Sequence, residues 1–245
     1  MDLKELLENA GNRRLAIIGS AGVVLIFLII MYYVLGSGIG RATAELESTN
    51  KQEVRLNAAG DLLFNGSSAA REVLRKYVKD EDPIVAAVCI DAIGRFGLEE
   101  DLPLFDELLK EPREQLRKAA VVALGRGGRK KTDHDRVIDV FINDKSVQVR
   151  VEAAKILGRH YVWAAMPHLV KAMRDPSAQV RAAAYGAIGK NFGTVYRQYD
   201  PLKKPEGQEK AIKKIEKIWP KYKPAHDDYM KLLDELEAEG KTMRS

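Results

Sequence analysis

The sequence is poor in the residues that build metal centres, disulfides and most catalytic sites. Its 245 residues include one cysteine and four histidines. A single cysteine excludes an intrachain disulfide and a cysteine-rich zinc site. The histidines follow no HExxH-type spacing, and the sequence lacks both a Walker phosphate-binding loop and a GxSxG nucleophile motif. We therefore predict no catalytic residue, no metal site and no cofactor.

Aromatic residues are also scarce, at 7% of the chain, whereas 46% is hydrophobic and 31% is charged. This composition is sufficient for a core and predicts that Leu, Ile, Val and Ala fill it. The net charge is +5, from 40 basic and 35 acidic residues. Because the acidic residues are interspersed among the basic ones, this excess does not favour a nucleic-acid partner.

One segment, Leu15 to Leu35, is apolar throughout and carries no charged residue. As a helix its 21 residues would span roughly 30 Å, the thickness of the hydrocarbon core of a bilayer. Tyr32 and Tyr33 lie at one end, where interfacial aromatic residues are common. We predict a single transmembrane helix at residues 15–35, preceded by a short tail of residues 1–14.

The alternative interpretation of this segment is a cleaved signal peptide, because Ala42-Thr43-Ala44 has the small-x-small form of a cleavage site. The apolar run is longer than a usual signal core, which favours an uncleaved anchor. Arg13 and Arg14 abut the start of the helix, and the first positive charge after it is Arg41. Within about twenty residues the two sides carry equal numbers of Lys and Arg, so the predicted orientation depends on the proximity of the two arginines. We predict a bacterial inner-membrane protein with its C-terminal domain outside the cytoplasm.

A repeat follows the apolar segment. Four glycines recur at spacings of 31, 33 and 31 residues and are each preceded by Ile or Leu, namely Gly94, Gly125, Gly158 and Gly189. Five residues before each glycine stands a small residue, Cys89, Ala120, Ala153 or Ala184. Fourteen residues before each stands an acid, Asp80, Glu111, Asp144 or Asp175. A fixed period of this length is typical of a solenoid.

Each repeat is predicted to contain two helices. The second helix begins near its acidic residue and ends at its glycine. Its small residue allows close helix packing, so Cys89 is expected to be a buried, unreactive thiol. No segment shows the alternating pattern of a strand. The predicted first helices are Ser68–Lys79, Leu102–Lys110, Asp135–Ile142 and Ala165–Arg174.

The segments Asp144–Gly158 (DKSVQVRVEAAKILG) and Asp175–Gly189 (DPSAQVRAAAYGAIG) share an acid, Val-Arg, Ala and Leu/Ile-Gly. In this pattern the chain resembles the HEAT-repeat family, in the short form also found in bilin-lyase-type repeat proteins. The resemblance implies an all-α fold, a short α-solenoid of about four helix pairs. We place this domain at residues 61–200, after a linker at 36–60 and before capping helices at 201–245.

The resemblance also implies a ladder in which an arginine of one repeat pairs with the acid of the next. Arg117, Arg150 and Arg181 occupy the arginine column, whereas the first unit has Ala86 there. The alternative for this column is a row of side chains that binds a ligand.

Two further sets of basic residues are candidate partner-binding sites. One follows the four glycines directly and consists of Arg95, Arg126, Arg159 and Lys190. These cations either offset the dipoles at helix C-termini or form a basic rim for an acidic partner. The second set lies on one face of a predicted helix, Glu206 to Trp219. It is either a solvated surface or a contact with anionic lipid headgroups, and it consists of Lys210, Lys213, Lys214 and Lys217.

These features favour a non-catalytic, membrane-tethered protein–protein interaction or assembly module, an accessory subunit of a larger membrane-associated complex. Its expected partners are other protein subunits, with the membrane contacted through Leu15 to Leu35 and no nucleic acid bound. The resemblance implies one alternative, a lyase-type enzyme related to the bilin-lyase HEAT proteins. The other alternative is a basic surface that binds anionic lipid or nucleic acid.

Overall fold

A computed structural model describes residues 38–48, 51–97, 99–127, 134–192 and 198–238. The predicted transmembrane helix, Leu15 to Leu35, lies outside these residues. Within them, no helix combines the length and the apolar character that a membrane crossing requires. The described residues are helical with short connections and contain no strand, so the all-α prediction is confirmed for them.

The chain divides into two compact units, residues 1–89 and 90–245, and the boundary falls inside helix α4. The described part of the first unit contains α1 (Ile39–Ser48), α2 (Gln52–Asn65), α3 (Ser68–Lys76) and the start of α4 (Pro83–Phe96). Helix α2 ends at Gly66, whose φ of 65° is left-handed and suits a residue without a Cβ. Helix α3 begins where the hydroxyl of Ser67 accepts a hydrogen bond from the backbone N–H of Ala70.

Helices α1 and α2 occupy most of residues 36–60, the range that was predicted to be a linker. Helix α1 packs against α2, and fully buried side chains of both helices form the contact core. Ala42, Ala58 and Ala59 supply much of this core together with Leu46. Such small residues add little to the apolar pattern of a sequence, so the segment reads as polar although it is packed.

The second unit continues the helix pairs. After α4 come α5 (Leu102–Leu108), α6 (Glu114–Leu124), α7 (His134–Asn143), α8 (Val147–Arg159), α9 (Met166–Lys171), α10 (Ala178–Phe192), α11 (Glu209–Ile218) and α12 (Lys223–Ala238). Helices α5, α7 and α9 each pack against the helix that follows them, and α6, α8 and α10 pack successively against one another. This stacking is the predicted one, and the first helices lie within a few residues of their predicted bounds.

Three of the four repeated glycines lie inside their helices, whereas Gly125 caps the C-terminus of α6 as predicted. Helix α8 continues to Arg159 and α10 to Phe192, so Gly158 and Gly189 are helical. A Cβ built on Gly158 would lie 2.7 Å from the Cα of Ala187 in the next repeat. A Cβ on Gly94 would lie 2.5 Å from that of Ala123. These glycines therefore allow consecutive helices to approach backbone to backbone.

The C-terminal helices pack against the last repeat. Helix α11 contacts α9 and buries Ala211, Ile212 and Ile215. The guanidinium of Arg174 binds the carboxylates of Glu209 and Glu216, with N–O distances of 2.6 and 2.7 Å. Hydrogen bonds with these two carboxylates raise the pKa of Arg174 above its ordinary value. The pairs fix α11 to the repeat, and α12 follows after a turn of 3₁₀ helix at Trp219–Tyr222.

Candidate functional site

The predicted arginine ladder is present and structural. Arg117 donates to Asp144 of the next repeat through Nε at 2.8 Å and Nη2 at 3.2 Å, while its Nη1 donates to the carbonyls of Glu111 and Pro112. Burial alone would raise the pKa of the Asp144 carboxyl, but hydrogen bonds from Arg117 and from the Ser146 backbone outweigh it. The pKa of Asp144 is therefore lowered, and this arginine is occupied by the protein itself.

The next two arginines of the column also bind acceptors within the protein. Arg150 reaches Asp175 at 3.2 Å and the carbonyl of Asp144 at 3.0 Å. Arg181 donates to four backbone carbonyls, those of Asp175, Pro176, Pro201 and Lys203. The C-terminal loop thus completes the ladder, and the ligand-row alternative has no free guanidinium in this column.

The first unit contains one more arginine–aspartate pair of the ladder, which the recurring glycines did not predict. Arg55 of α2 binds the carboxylate of Asp80, and both side chains are largely buried. The hydrogen bond to Asp80 raises the pKa of Arg55 despite the opposing effect of burial. Arg55 precedes Asp80 by 25 residues, the same separation as Arg150 and Asp175, so that spacing was the available signal.

The basic column after the glycines is not a continuous row of uncompensated charge. Arg95 and Arg126 share one carboxylate, that of Asp91, with Nε–O distances of 2.9 and 2.7 Å. The positive charge of the expected four-residue rim is therefore only partly compensated at this end. Arg159 and Lys190 are exposed in the last turns of α8 and α10.

The lysines of α11 form an exposed face, as predicted. This face consists of Lys210, Lys213, Lys214 and Lys217, and the opposite side of the helix is buried in the domain. Because the apolar side already packs against the repeat, it is not available for insertion into a bilayer. Any lipid contact of this helix would be purely electrostatic.

A groove that the sequence did not indicate lies near the C-terminal end of the second unit. Its volume is about 610 Å³, and we call it the C-terminal groove. Helix α10, the turn after α8 and the α11–α12 region supply its lining, which consists of Tyr161, Gly186, Gly189, Lys190, Asn191, Phe192, Tyr222, Ala225, His226 and Tyr229. In a chain with few aromatic residues, four aromatic side chains converge here.

The rings that line the groove contact one another in pairs. Phe192 and Tyr222 are stacked with centroids 4.9 Å apart, and Tyr161 meets Tyr229 edge to face at 5.3 Å. Trp163 lies behind them, 4.8 Å from the ring of His226. Offset and edge-to-face contacts of this kind stabilise aromatic pairs beyond simple burial. The walls of the groove are therefore fixed in position by their neighbours.

Tyr161 is held in an unusual backbone conformation. Its φ is 54°, the only positive value found for a non-glycine among the described residues. The N–H of Val162 donates to Leu157 and that of Tyr161 to Gly158, which is a Schellman ending of α8 with tyrosine where glycine is normal. A bulky residue there costs about 1–3 kcal/mol. The strain places the Tyr161 ring at the groove.

His226 fastens α12 to this turn. Its Nε2 donates to the carbonyl of Tyr161 at 2.8 Å, and its ring is largely buried. The hydrogen bond with the Tyr161 side chain, together with burial, raises the pKa of the Tyr229 hydroxyl. Lys223 and His226 both bind Asp227, which lowers the pKa of that carboxyl. This network positions two of the aromatic walls.

Asn191 brings an unpaired acceptor to the groove. The residue is 5% exposed, and its Nδ2 donates to the carbonyl of Ala187 at 3.0 Å. This bond fixes the amide and leaves Oδ1 buried without a hydrogen-bond donor. An unsatisfied buried acceptor costs about 1–3 kcal/mol, so it is a natural contact for a bound N–H group.

The described residues contain no cluster of three or more His, Cys, Asp or Glu side chains that would hold a metal ion. Cys89 is fully buried, as predicted, and desolvation raises the pKa of its thiol to about 12. The sequence could not indicate the groove because its walls come from three separate segments.

Comparison with known proteins agrees with the helix pairs. A model of HEAT repeats matches residues 41–125 and 135–214, which together exceed half of the chain. The first match begins within α1, in agreement with the packing of α1 and α2. No curated protein shows significant similarity to the sequence. The matched segments contain the helix pairs, the ladder and most of the C-terminal groove, and the chain belongs to the HEAT-repeat family.

Proposed function

We propose that this protein is a membrane-tethered, non-catalytic interaction module that acts as an accessory subunit of a larger complex. The observation that carries the proposal is the series of stacked HEAT helix pairs, which exposes grooves and charged faces while its ladder arginines are used internally. Repeats of this kind commonly mediate protein–protein contacts through extended surfaces.

The membrane tether is the proposed role of Leu15 to Leu35. The support is the sequence itself, an uncharged apolar run of sufficient length with tyrosines at one end. Ala42-Thr43-Ala44, the alternative cleavage site, lies inside α1, where Ala42 is fully buried. Removal of the chain before residue 45 would delete part of the packed α1–α2 pair, which supports retention of the anchor.

The proposed orientation places the N-terminus in the cytoplasm and the repeats on the other side of a bacterial inner membrane. It rests on Arg13 and Arg14 beside the apolar run. Gly207 is a suitable reporter position, because it is exposed and a Cβ there would meet no atom within 4 Å. Gly207→Cys should react with a membrane-impermeant maleimide in intact spheroplasts. Native Cys89 is the built-in control because it is buried.

Labelling only after lysis would reverse the orientation, and recovery of the labelled protein in the soluble fraction would exclude the tether. The interaction role is tested separately by quantitative mass spectrometry after gentle detergent extraction. We expect the same stoichiometric subunits with the native anchor and with residues 15–35 replaced by an unrelated transmembrane helix. Loss of the repeats should release them, and purification without any stoichiometric partner would contradict the role.

The lyase alternative predicts a bound chromophore, which an absorbance spectrum of the purified protein would detect. The lipid alternative has one supporting observation, the exposed lysine face of α11. It predicts that charge reversal at Lys210, Lys213 and Lys217 abolishes binding to anionic vesicles.

A further inference from the structure

We propose that the C-terminal groove binds an extended peptide segment of a partner protein in which an acidic side chain stands next to an apolar one. This inference deepens the proposed function and rests on it, since it assigns the partner contact to one site. The groove combines aromatic walls, a glycine floor, one cation and one unpaired acceptor, and each of these features restricts the occupant.

The two glycines that line the groove favour a ligand peptide in an extended conformation. Gly186 and Gly189 lie one turn apart on α10, and both line the groove. At Gly186, which is exposed, an added Cβ would meet no atom within 4 Å. Because Gly186 has no side chain, a ligand backbone can approach the helix closely at this position. Aromatic walls then offer flat apolar surface to alternate side chains of such a segment.

Asn191 requires a donor from the occupant. The residue lines the groove, its Oδ1 is buried and unpaired, and its Nδ2 already donates to Ala187. A peptide N–H directed at this oxygen would remove the cost of the unsatisfied acceptor. A hydrocarbon chain would leave that cost in place, so a lipid tail fits the groove less well than a peptide.

Lys190 sets the charge of the occupant. Among the described residues that line the groove it is the only lysine or arginine, and they include no carboxylate. Lys190 is exposed in the last turn of α10 and lines the groove together with the aromatic residues. An acidic side chain of the peptide would pair with it, while the adjacent apolar side chain packs on the rings.

The strain at Tyr161 is consistent with a binding role. Glycine at this Schellman position would avoid the backbone strain, yet tyrosine is present and forms part of the groove wall. His226 binds the backbone carbonyl of Tyr161, and the ring of Tyr229 contacts the Tyr161 ring. A site that is rigid before binding loses less entropy when the ligand arrives.

The test uses a phage-displayed library of random twelve-residue peptides, panned on the full chain in detergent. Bound phage are counter-selected against Gly186→Trp, which fills the groove from an open helical position. Gly60→Trp is the matched control, because Gly60 is also helical and its Cβ would also meet no atom within 4 Å. We expect enrichment of peptides with Asp or Glu beside an apolar residue, and at least tenfold weaker binding to Gly186→Trp than to Gly60→Trp.

Three variants then test the individual contacts with one enriched peptide. Asn191→Leu should weaken binding about tenfold without lowering the melting temperature, since it removes an unpaired acceptor. Lys190→Glu should weaken binding and lessen its salt dependence. Tyr161→Gly should relieve the backbone strain and still weaken binding, whereas a purely structural tyrosine would leave the affinity unchanged.

Four outcomes would overturn the proposal: no enrichment, a basic consensus, equal affinity for Gly186→Trp and Gly60→Trp, or displacement of the peptide by phosphatidylglycerol vesicles. Failure of the proposed function has a different signature, because it is the absence of any co-purifying subunit. If subunits remain bound to Gly186→Trp in membrane extracts, the interaction role stands and the groove is not its site.

Discussion

Arg117 of one repeat and Asp144 of the next form a two-pronged ion pair whose side chains are only 5% and 6% exposed. The remaining donor group of the guanidinium binds the two carbonyls that precede its own helix. One side chain therefore joins the loop of its own repeat to the loop of the following repeat. A buried ion pair of this kind adds little to the free energy of unfolding compared with well-packed apolar residues. Removal of one partner is nevertheless strongly destabilising, because the other charge stays buried and unpaired.

We expect Arg117→Ala to lower the free energy of unfolding of the second unit by about 3 kcal/mol, because the substitution leaves a buried carboxylate without its cation. Urea unfolding followed by circular dichroism at 222 nm measures the loss. Arg150→Ala is the matched control, since Arg150 and Asp175 are 15% and 16% exposed and their hydrogen bonds are longer. Equal losses in the two variants would contradict the importance of burial.

The same pair predicts how stability depends on pH. The folded pKa of Asp144 is lowered below the unfolded value of about 3.9, so its contribution is fully present above that value. It is lost as the pH falls through the lower folded pKa. In Arg117→Ala the burial effect remains without the arginine, and the pKa of Asp144 should rise. The stability difference between native protein and variant should therefore be smaller at pH 4 than at pH 7, and a constant difference would argue against it.

The ladder and the helix pairs could be predicted because each depends on residues at fixed spacing. Arg117, Arg150 and their acidic partners recur with the repeat, and a period of 30-odd residues is visible without coordinates. The glycines show the limit of that method. The recurring spacing places Gly158 at the end of an apolar helix pattern, yet the pattern does not distinguish a helix stop from a close interhelical contact.

The C-terminal groove could not be predicted for a different reason. Its walls lie at 161, 186–192 and 222–229, so no local pattern connects them. The positive φ of Tyr161 arises from tertiary contacts that override the preference for glycine at that position. The ion pairs of Arg95 and Arg126 could not be predicted from the basic column either, because their shared partner, Asp91, lies outside that column.

Cys89 should be unreactive in the folded protein. It is fully buried, and desolvation raises the pKa of its thiol to about 12, so almost no thiolate exists at pH 8. We expect no reaction with Ellman's reagent under native conditions and one equivalent of released thiol in 6 M guanidinium chloride (the denaturing control). Rapid labelling of the native protein would show that the helix carrying this cysteine opens readily.

Two glycines on neighbouring helices make a matched test of close packing. A Cβ at Gly158 would lie 2.7 Å from the backbone Cα of Ala187, so Gly158→Ala must push α8 and α10 apart. Gly186 on α10 has open space instead, and Gly186→Ala should stabilise its helix by about 0.5–1 kcal/mol. The melting temperature should therefore fall in Gly158→Ala and rise in Gly186→Ala, although both variants replace glycine with alanine.

The melting temperature of Gly125→Ala should lie between those of Gly158→Ala and Gly186→Ala. Its added Cβ would meet the side chain of Ile156 at 2.9 Å, and a side chain can rotate away where a backbone atom cannot. The expected order of melting temperatures is Gly186→Ala above native, then Gly125→Ala, then Gly158→Ala. Were Gly158→Ala as stable as the native protein, the glycine would serve helix termination and not the contact between repeats. The order thus separates the role predicted from sequence from the role found in the structure.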